Sequence, residues 1–397
     1  RHEEAGQRFQ DYLRRDAAGQ HARPALFRIG EAAYLAGKAA EAKDALQKFL
    51  KQYPKDDLNA YVVPYLGQLA LAENRVAEAE SLFRQGLTQY PQGSLQDDCR
   101  FGLARALEKQ DKTGEAERLY LALAGKPSSR LASDSQLRLG AVQYASGKFS
   151  EAAESFAAFE ANWKQSPQIG MARLVHGWAL MKLGRSKDAA TLFKQVAADS
   201  KLGTDACYWL GLAQKAQKDW TAAAKTLLEA AGQAPEHRLS TAIRFHAGDA
   251  LLHAGDYPAA RQQFDAVLQS PSGLGEWGAD AMLGICQAAL RQMDHETIDR
   301  QSAEFMRRFS ASPLRADVKR IQARSLIERK QYQKAADLLG PLVAGKEPGA
   351  EAAEERYLLG LAYEGLKRYD QALAAIGPVL NSANAPFKTD AQLAQAL

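Results

Sequence analysis

Residues 139–167 read LGAVQYASGKFSEAAESFAAFEANWKQSP, and this stretch holds the plan of the chain. A glycine follows a large apolar residue at Leu139-Gly140. Twelve positions on stands Ala152, four later comes Phe156, and Pro167 closes the stretch. Ala152 and Phe156 are one turn apart, so on a helix they share a face. Between Gly140 and that pair lies Ser146-Gly147-Lys148-Phe149, a turn segment. The reading is two short helices. The first carries Gly140, where the missing Cβ permits close approach, and the proline prevents the second from continuing.

The same landmarks recur along the chain. The glycine register runs through Gly30, Gly67, Gly102, Gly140, Gly177, Gly211, Gly248, Gly284 and Gly360, with Ala323 replacing glycine in the ninth unit, at intervals of 34 to 39 residues. Alanine stands twelve residues on at Ala42, Ala79, Ala152, Ala189, Ala223, Ala260, Ala335 and Ala372. Four later comes Leu46, Phe83, Phe156, Phe193, Leu227, Phe264, Leu339 or Ile376. Nine of the 14 prolines fall where units end: Pro54, Pro91, Pro127, Pro167, Pro235, Pro271, Pro313, Pro348 and Pro386. Two units depart from the pattern. The third is displaced by two residues, with Ala116 and Tyr120 in the Ala and Phe roles. The eighth places Glu296 and Arg300 there, so its second helix must shift register or pack differently. Gly340-Pro341 and Gly377-Pro378 predict a kink in the last two second helices.

These residues resemble the tetratricopeptide repeat (TPR) family, whose Leu-Gly, Ala-x3-Phe and Pro landmarks recur in this order. The resemblance implies an all-α fold: a right-handed α-solenoid of about ten helix pairs with partial helices at both ends. It implies one continuous domain over 1–397, because stacked pairs bury their faces only against neighbours.

Composition fits this reading. Lys and Arg number 51 against 47 Asp and Glu, a formal net charge of +4, and 46% of residues are hydrophobic. That balance argues against disorder and against a basic nucleic-acid module. No apolar run approaches the roughly 18 residues of a membrane span. The chain starts at Arg1 without a signal-like segment and ends in the apolar pattern Ala391-Gln-Leu393-Ala-Gln-Ala-Leu397, so it reads as a fragment of a longer or processed product.

Chemistry-bearing patterns are few. Gly273-Leu-Gly275-Glu-Trp-Gly278 matches the dinucleotide fingerprint in letters, but that site needs a preceding strand, and an inter-unit loop is the reading here. His246, Asp249 and His253 fall on one helical face with zinc-compatible spacing but no further ligand. His295-Glu296 is one residue short of H-E-x-x-H. Cys99, Cys207 and Cys286 have no ligand or disulfide spacing, and Cys286 reads as a core thiol. No catalytic residue, metal or cofactor is expected.

In TPR proteins the first helices line the concave face. The resemblance places exposed positions three residues before the glycine and one, four and five after it. Those positions hold Phe27, Tyr34, Tyr144, Leu174, Trp178, Met181, Tyr208, Phe245, Leu252, Ile285 and Tyr357, with Asp249 and His253 among the polar members. Two readings stand side by side: a groove for a peptide or helix, or large residues tying neighbouring first helices together. None of the residues just after the glycine is Asn, so the carboxylate clamp of chaperone-binding TPRs is disfavoured. From Arg300 to Lys334 ten basic residues meet only Glu304, Asp317 and Glu328. There Arg315, Lys319, Arg320 and Arg324 form either a solvated basic face or a dock for an acidic segment or anionic polymer.

The function expected is a non-catalytic scaffold that captures a protein or peptide. Phe49-Leu-Lys-Gln-Tyr53-Pro54, Gly86-Leu-Thr-Gln-Tyr90-Pro91 and Tyr208-Trp209-Leu210-Gly211 resemble bacterial envelope repeats of the Tol-Pal-associated and outer-membrane assembly lipoproteins. That resemblance implies a periplasmic or outer-membrane-associated setting, with the cytoplasm as the alternative. A polysaccharide-handling solenoid, with Trp178 and Tyr208 stacking on sugars, and a regulatory arm of an enzyme are the competing readings.

Overall fold

The computed structural model describes residues 1–198, 201–270, 275–344 and 352–381. Among the described residues all regular structure is helical, and the fold is an α-solenoid built of helix pairs. Residues group into two compact bodies, Arg1–Leu192 and Phe193–Leu397. The first body opens with α1 (His2–Arg15), followed by α2 (Ala22–Leu35) with α3 (Ala39–Gln52), and α4 (Asn59–Ala72) with α5 (Val76–Gln89). Then come α6 (Gln96–Glu108) with α7 (Thr113–Ala124), α8 (Ala132–Ala145) with α9 (Phe149–Asn162), and α10 (Ile169–Lys182). Helix α11 (Ser186–Val196) carries the chain across the boundary. The second body pairs α12 (Gly203–Ala216) with α13 (Trp220–Gln233), α14 (Ser240–Ala254) with α15 (Tyr257–Gln269), and α16 (Gly278–Arg291) with α17 (His295–Arg308). Its last described helices are α18 (Arg315–Glu328) and α19 (Tyr332–Val343), then α20 (Ala353–Gly365) and α21 (Tyr369–Asn381).

Each first helix stops in the same way. Within three residues of its end the chain adopts a left-handed backbone: Gly at 37, 147, 184 and 255, and otherwise Asn74, Asp111, Lys218, Met293, Lys330 and Lys367. The next N–H then reaches back across the turn, as from Lys38 to the Ala33 carbonyl and from Asp256 to Leu251, at 2.8–3.0 Å in all ten turns. This is the Schellman closure, which satisfies carbonyls that a helix end otherwise leaves open. Asp219, Asp256 and Asp294 cap the second helices that follow, accepting from Ala222, Ala259 and Thr297.

The left-handed residue fixes the register. It lies seven residues after the aligned glycine in eight repeats, but nine after Gly102 and Gly284. Moving the contact position to Ala104 and Cys286 restores seven throughout, and both residues are fully buried. Gly102 and Gly284 are thus not the contact glycines of their own repeats. They face the ring of the repeat before, Phe83 and Phe264, where a Cβ would lie 2.3 and 2.5 Å from the ring. The third repeat then uses Ala116 and Tyr120 as expected. The eighth uses Ile298 and Ser302, which are buried, in place of Glu296 and Arg300. A carboxylate and a guanidinium cannot fill a dry slot without partners, so the helix turns to present the apolar Ile298 and the small Ser302.

Elsewhere the Ala and large apolar pair is core: Ala79 and Phe83, Ala152 and Phe156, and Ala260 and Phe264 are all buried. Phe264 is wedged between Gly248 and Gly284 on consecutive first helices, and Phe83 between Gly67 and Gly102. Gly284→Ala should therefore cost about 1–3 kcal/mol through overpacking, seen as a lower urea midpoint; an unchanged midpoint would show that the ring yields freely. Helices α19 and α21 continue past Pro341 and Pro378. Pro54, Pro91, Pro127, Pro167, Pro235 and Pro313 sit in turns between repeats, while Pro271, Pro348 and Pro386 lie outside the described residues.

Candidate functional site

Within each body, first helices of consecutive repeats touch one another, as α2 touches α4 and α14 touches α16, so they share one face. In the second body that face holds a groove of about 1040 Å³. Its lining comes from four repeats: Leu252, His253 and Tyr257; Gln287, Leu290, Arg291 and Met293; Arg324, Ile327 and Glu328; Tyr357, Leu358 and Leu361. Counted from Gly248, Cys286, Ala323 and Gly360, most of these stand one, four or five residues after the contact position. His253, Tyr357 and Arg324 were expected on this face, and Leu252 with them. Gln287, Leu290 and Arg291 were not, because counting from Gly284 puts Ile285 there, and Ile285 is buried. The charged pair in the core position of α17 was the available signal of that shift. The first body has a smaller groove of about 230 Å³ lined by Tyr34, Gln68, Leu69, Leu71, Ala72 and Arg105.

The expected aromatics divide. Phe27 is 2% exposed and packs edge-on to Phe49 at 5.9 Å, so it belongs to the core and not to the groove. Leu174 is likewise buried. Tyr208 is 9% exposed and closed in by Trp209 and His246 at 5.3 and 5.8 Å. Phe245 packs on Trp277 at 4.6 Å and Phe264 at 5.9 Å, tying two repeats. Residues three before the contact position are therefore mainly ties. Further along the helices more surface is open: Tyr34 is half-buried and stacks on Tyr65 at 4.5 Å. Tyr144 meets Phe149 edge-on at 5.4 Å, and Trp178 and Met181 are half-buried on α10.

The histidine and aspartate row does not converge. Lys215 lies 2.6 Å from Asp249 and 2.9 Å from Nδ1 of His246. Lysine only donates, so Nδ1 of His246 accepts and its proton sits on Nε2. His253 is exposed and stacks on Trp220 at 4.4 Å. No group of three metal-binding side chains occurs among the described residues. Burial, with Lys215 nearby, pushes the His246 pKa down to about 4. As pH falls from about 6.5 to 4, the unfolded chain takes up a proton that the folded chain refuses. Stability is thus full above about pH 7 and declines through that window, by about 2 kcal/mol at pH 4.5. Urea unfolding at the two pH values, with His246→Gln alongside, reads this contribution; an equal slope in both proteins would remove it.

Part of the basic run is paired within the chain. Arg320 pairs with Asp317 and Glu355, and Arg324 pairs with Glu354 at 2.7 Å, both glutamates on α20. Asp299 takes both ends of the Arg329 guanidinium at 2.8 and 2.9 Å, and Glu304 engages Arg307 and Arg308. Arg315 is exposed and Lys319 half-buried. The four residues read as one patch from sequence are therefore split, two of them holding repeats together. Such ties recur one repeat apart, as Lys148 to Glu117 at 2.7 Å and Arg261 to Asp294 at 2.8 Å.

Burial raises the thiols of Cys99 and Cys286 to about 12, and that of Cys207 is also raised, so none is an activated nucleophile. His295 opens α17 with Nδ1 2.9 Å from the Ser325 hydroxyl. Gly278 opens α16, while Gly273 lies outside the described residues. No described helix is long and apolar enough to cross a membrane.

Family models of the tetratricopeptide repeat match residues 101–167, 174–238 and 236–274, and a second such model matches 24–56, together just over half of the chain. The chain belongs to the tetratricopeptide repeat family. No curated protein matches it. Among solved structures, the apo form of RapI is similar at 12% identity over 89% of this chain and 97% of its own, with a TM-score of 0.52. A TPR protein from Parabacteroides merdae ATCC 43184 aligns over 68% of this TPR chain and 99% of its own at 13% identity, TM-score 0.45. A chain of the APC/C hetero-tetramer Cut9-Hcn1 aligns over 98% and 91% at 12% identity, TM-score 0.40. At such identity the RapI likeness speaks for the TPR fold alone.

Proposed function

We propose that this TPR protein is a non-catalytic adaptor whose second-body groove captures a segment of another protein. TPR repeats generally mediate protein–protein interaction. One observation carries the placement: Leu252, Leu290 and Ile327 stand at the same position of three consecutive repeats and line one groove. Apolar anchors with a few polar groups at the rim are what protein segments bind. Selection of a displayed random-peptide library on the intact chain tests the reading. Peptides should be enriched on the native protein and lost on a Leu290→Glu, Ile327→Glu variant. No enrichment, or enrichment indifferent to those changes, overturns it.

We further propose a bacterial envelope setting, supported by the likeness of Phe49–Pro54, Gly86–Pro91 and Tyr208–Gly211 to envelope TPR lipoproteins. Recovery of the protein in the periplasmic or outer-membrane fraction of its host is expected; recovery in the cytosol would reject the setting.

A further inference from the structure

Arg105 stands apart from the other arginines of the first body. Four of those arginines are half-buried: Arg75, Arg100, Arg105 and Arg173. Arg75 pairs with Glu73 at 2.7 Å, Arg100 with Asp97 at 3.0 Å and Arg173 with Glu160 at 3.2 Å. Arg105 alone has no ion pair, hydrogen bond or ring contact among the described residues. A guanidinium cannot shed its charge, so drawing it partly out of water without an anion is unfavourable.

The acids that could answer it are engaged. Glu108, one turn on along α6, accepts from the Tyr120 hydroxyl at 2.8 Å and pairs with Arg138 at 3.4 Å. Asp98 pairs with Arg130, and Glu31 with Arg28. Four guanidinium groups thus meet three carboxylates, and one positive charge is left over.

That charge lines the first-body groove beside Gln68 and Tyr34. The three side chains come from α6, α4 and α2, with Gln68 and Arg105 at the same position of consecutive repeats. Neither the Gln68 amide nor the Tyr34 hydroxyl has a hydrogen-bond partner among the described residues. Burial, with the charge of Asp98, raises the Tyr34 pKa, so its hydroxyl keeps its proton and can donate. Leu69 and Leu71 add an apolar wall. A few convergent donors over apolar side chains are the make-up of a small-molecule site. The guanidinium fork matches the two oxygens of a carboxylate, and a single surplus charge suits one negative charge better than two.

We propose that the first-body groove binds a small monocarboxylate with an apolar body, its oxygens held by Arg105, Gln68 and Tyr34. No residue of the second body lines this site, so the proposal stands apart from segment capture there.

Ligand-observed NMR titration of the intact chain with butyrate, butyramide and butyl phosphate tests it at about pH 8, where the phosphate carries close to two charges. A leucine-ending tripeptide with a free carboxylate completes the set. Butyrate should bind about tenfold more tightly than the neutral amide and ahead of the phosphate and the tripeptide. Arg105→Met should melt with the native chain and lose butyrate. Arg105→Lys, which keeps the charge without the fork, and Tyr34→Phe, which loses a donor, should each weaken it several-fold. Equal binding of the amide overturns the proposal, as does butyrate affinity unmoved by the Arg105 and Tyr34 changes. Tighter binding of the phosphate overturns the single-charge preference, and tighter binding of the tripeptide assigns the carboxylate to a chain end. No binding of butyrate at millimolar concentration removes the site.

Discussion

Arg320→Ala should detach the pair of α20 and α21 from the pair before it, at a cost of about 3–5 kcal/mol. The Arg320 guanidinium reaches Glu355 at 2.8 Å and Glu354 at 3.5 Å. The Glu355 side chain is 1% exposed, so removing the guanidinium takes a cation away from a carboxylate that water does not reach. In a repeat array such a loss acts on one interface and its neighbours. Hydrogen exchange should accordingly quicken in α20 and α21 while α12 to α16 keep their protection. The pair is a tie and not a source of net stability, so Arg320→Met with Glu355→Leu should recover most of the loss. An Arg320→Ala chain that unfolds within about 0.5 kcal/mol of the native one would show that solvent or another cation replaces the guanidinium.

Phe264→Ala should cost a similar amount, about 3–5 kcal/mol, by emptying the space between two helices. The ring is 1% exposed and lies against Gly248 and Gly284, with Phe245 at 5.9 Å. Glycine offers no atoms with which to refill the gap, so collapse is limited. The discriminating measurement is a double-mutant cycle with Gly284→Ala. Alone, each change destabilises, one by a void and the other by a clash. Together the new methyl group occupies space that the ring has left, and the sum should fall short of the two parts by 1 kcal/mol or more. Strict additivity would mean that Phe264 and Gly284 do not press on each other.

The pairing of helices was legible because close contact leaves marks at fixed intervals: a small residue on one helix, and an Ala-x3-Phe face on the next. The register of the third and eighth repeats was not, because Gly102 and Gly284 serve the preceding ring while looking like the contact glycine of their own repeat. Two residues of error hid Gln287, Leu290 and Arg291. The basic run misled for another reason: Glu354 and Glu355, its neutralising partners, are 30 to 35 residues further along the chain from Arg324 and Arg320. Composition within a window cannot report pairs that are set by stacking. Phe27 and Tyr208 show the remaining limit. The same face of a first helix holds both ties and open surface, and only packing separates them.

The left-handed residue that ends every first helix has a consequence beyond register. Six of the ten are not glycine, and each such L-residue bears a backbone penalty of about 1 kcal/mol. Met293 lines the groove, but Lys218, Lys330 and Lys367 are not among its lining residues and sit in separate repeats. Glycine at these three would relieve the penalty at each, and distant sites add. The chain thus holds an undrawn reserve of robustness, spread along its length and separable from the surface that recognises partners. Such a reserve gives an evolving lineage room to change its groove, accept the damage, and stay folded.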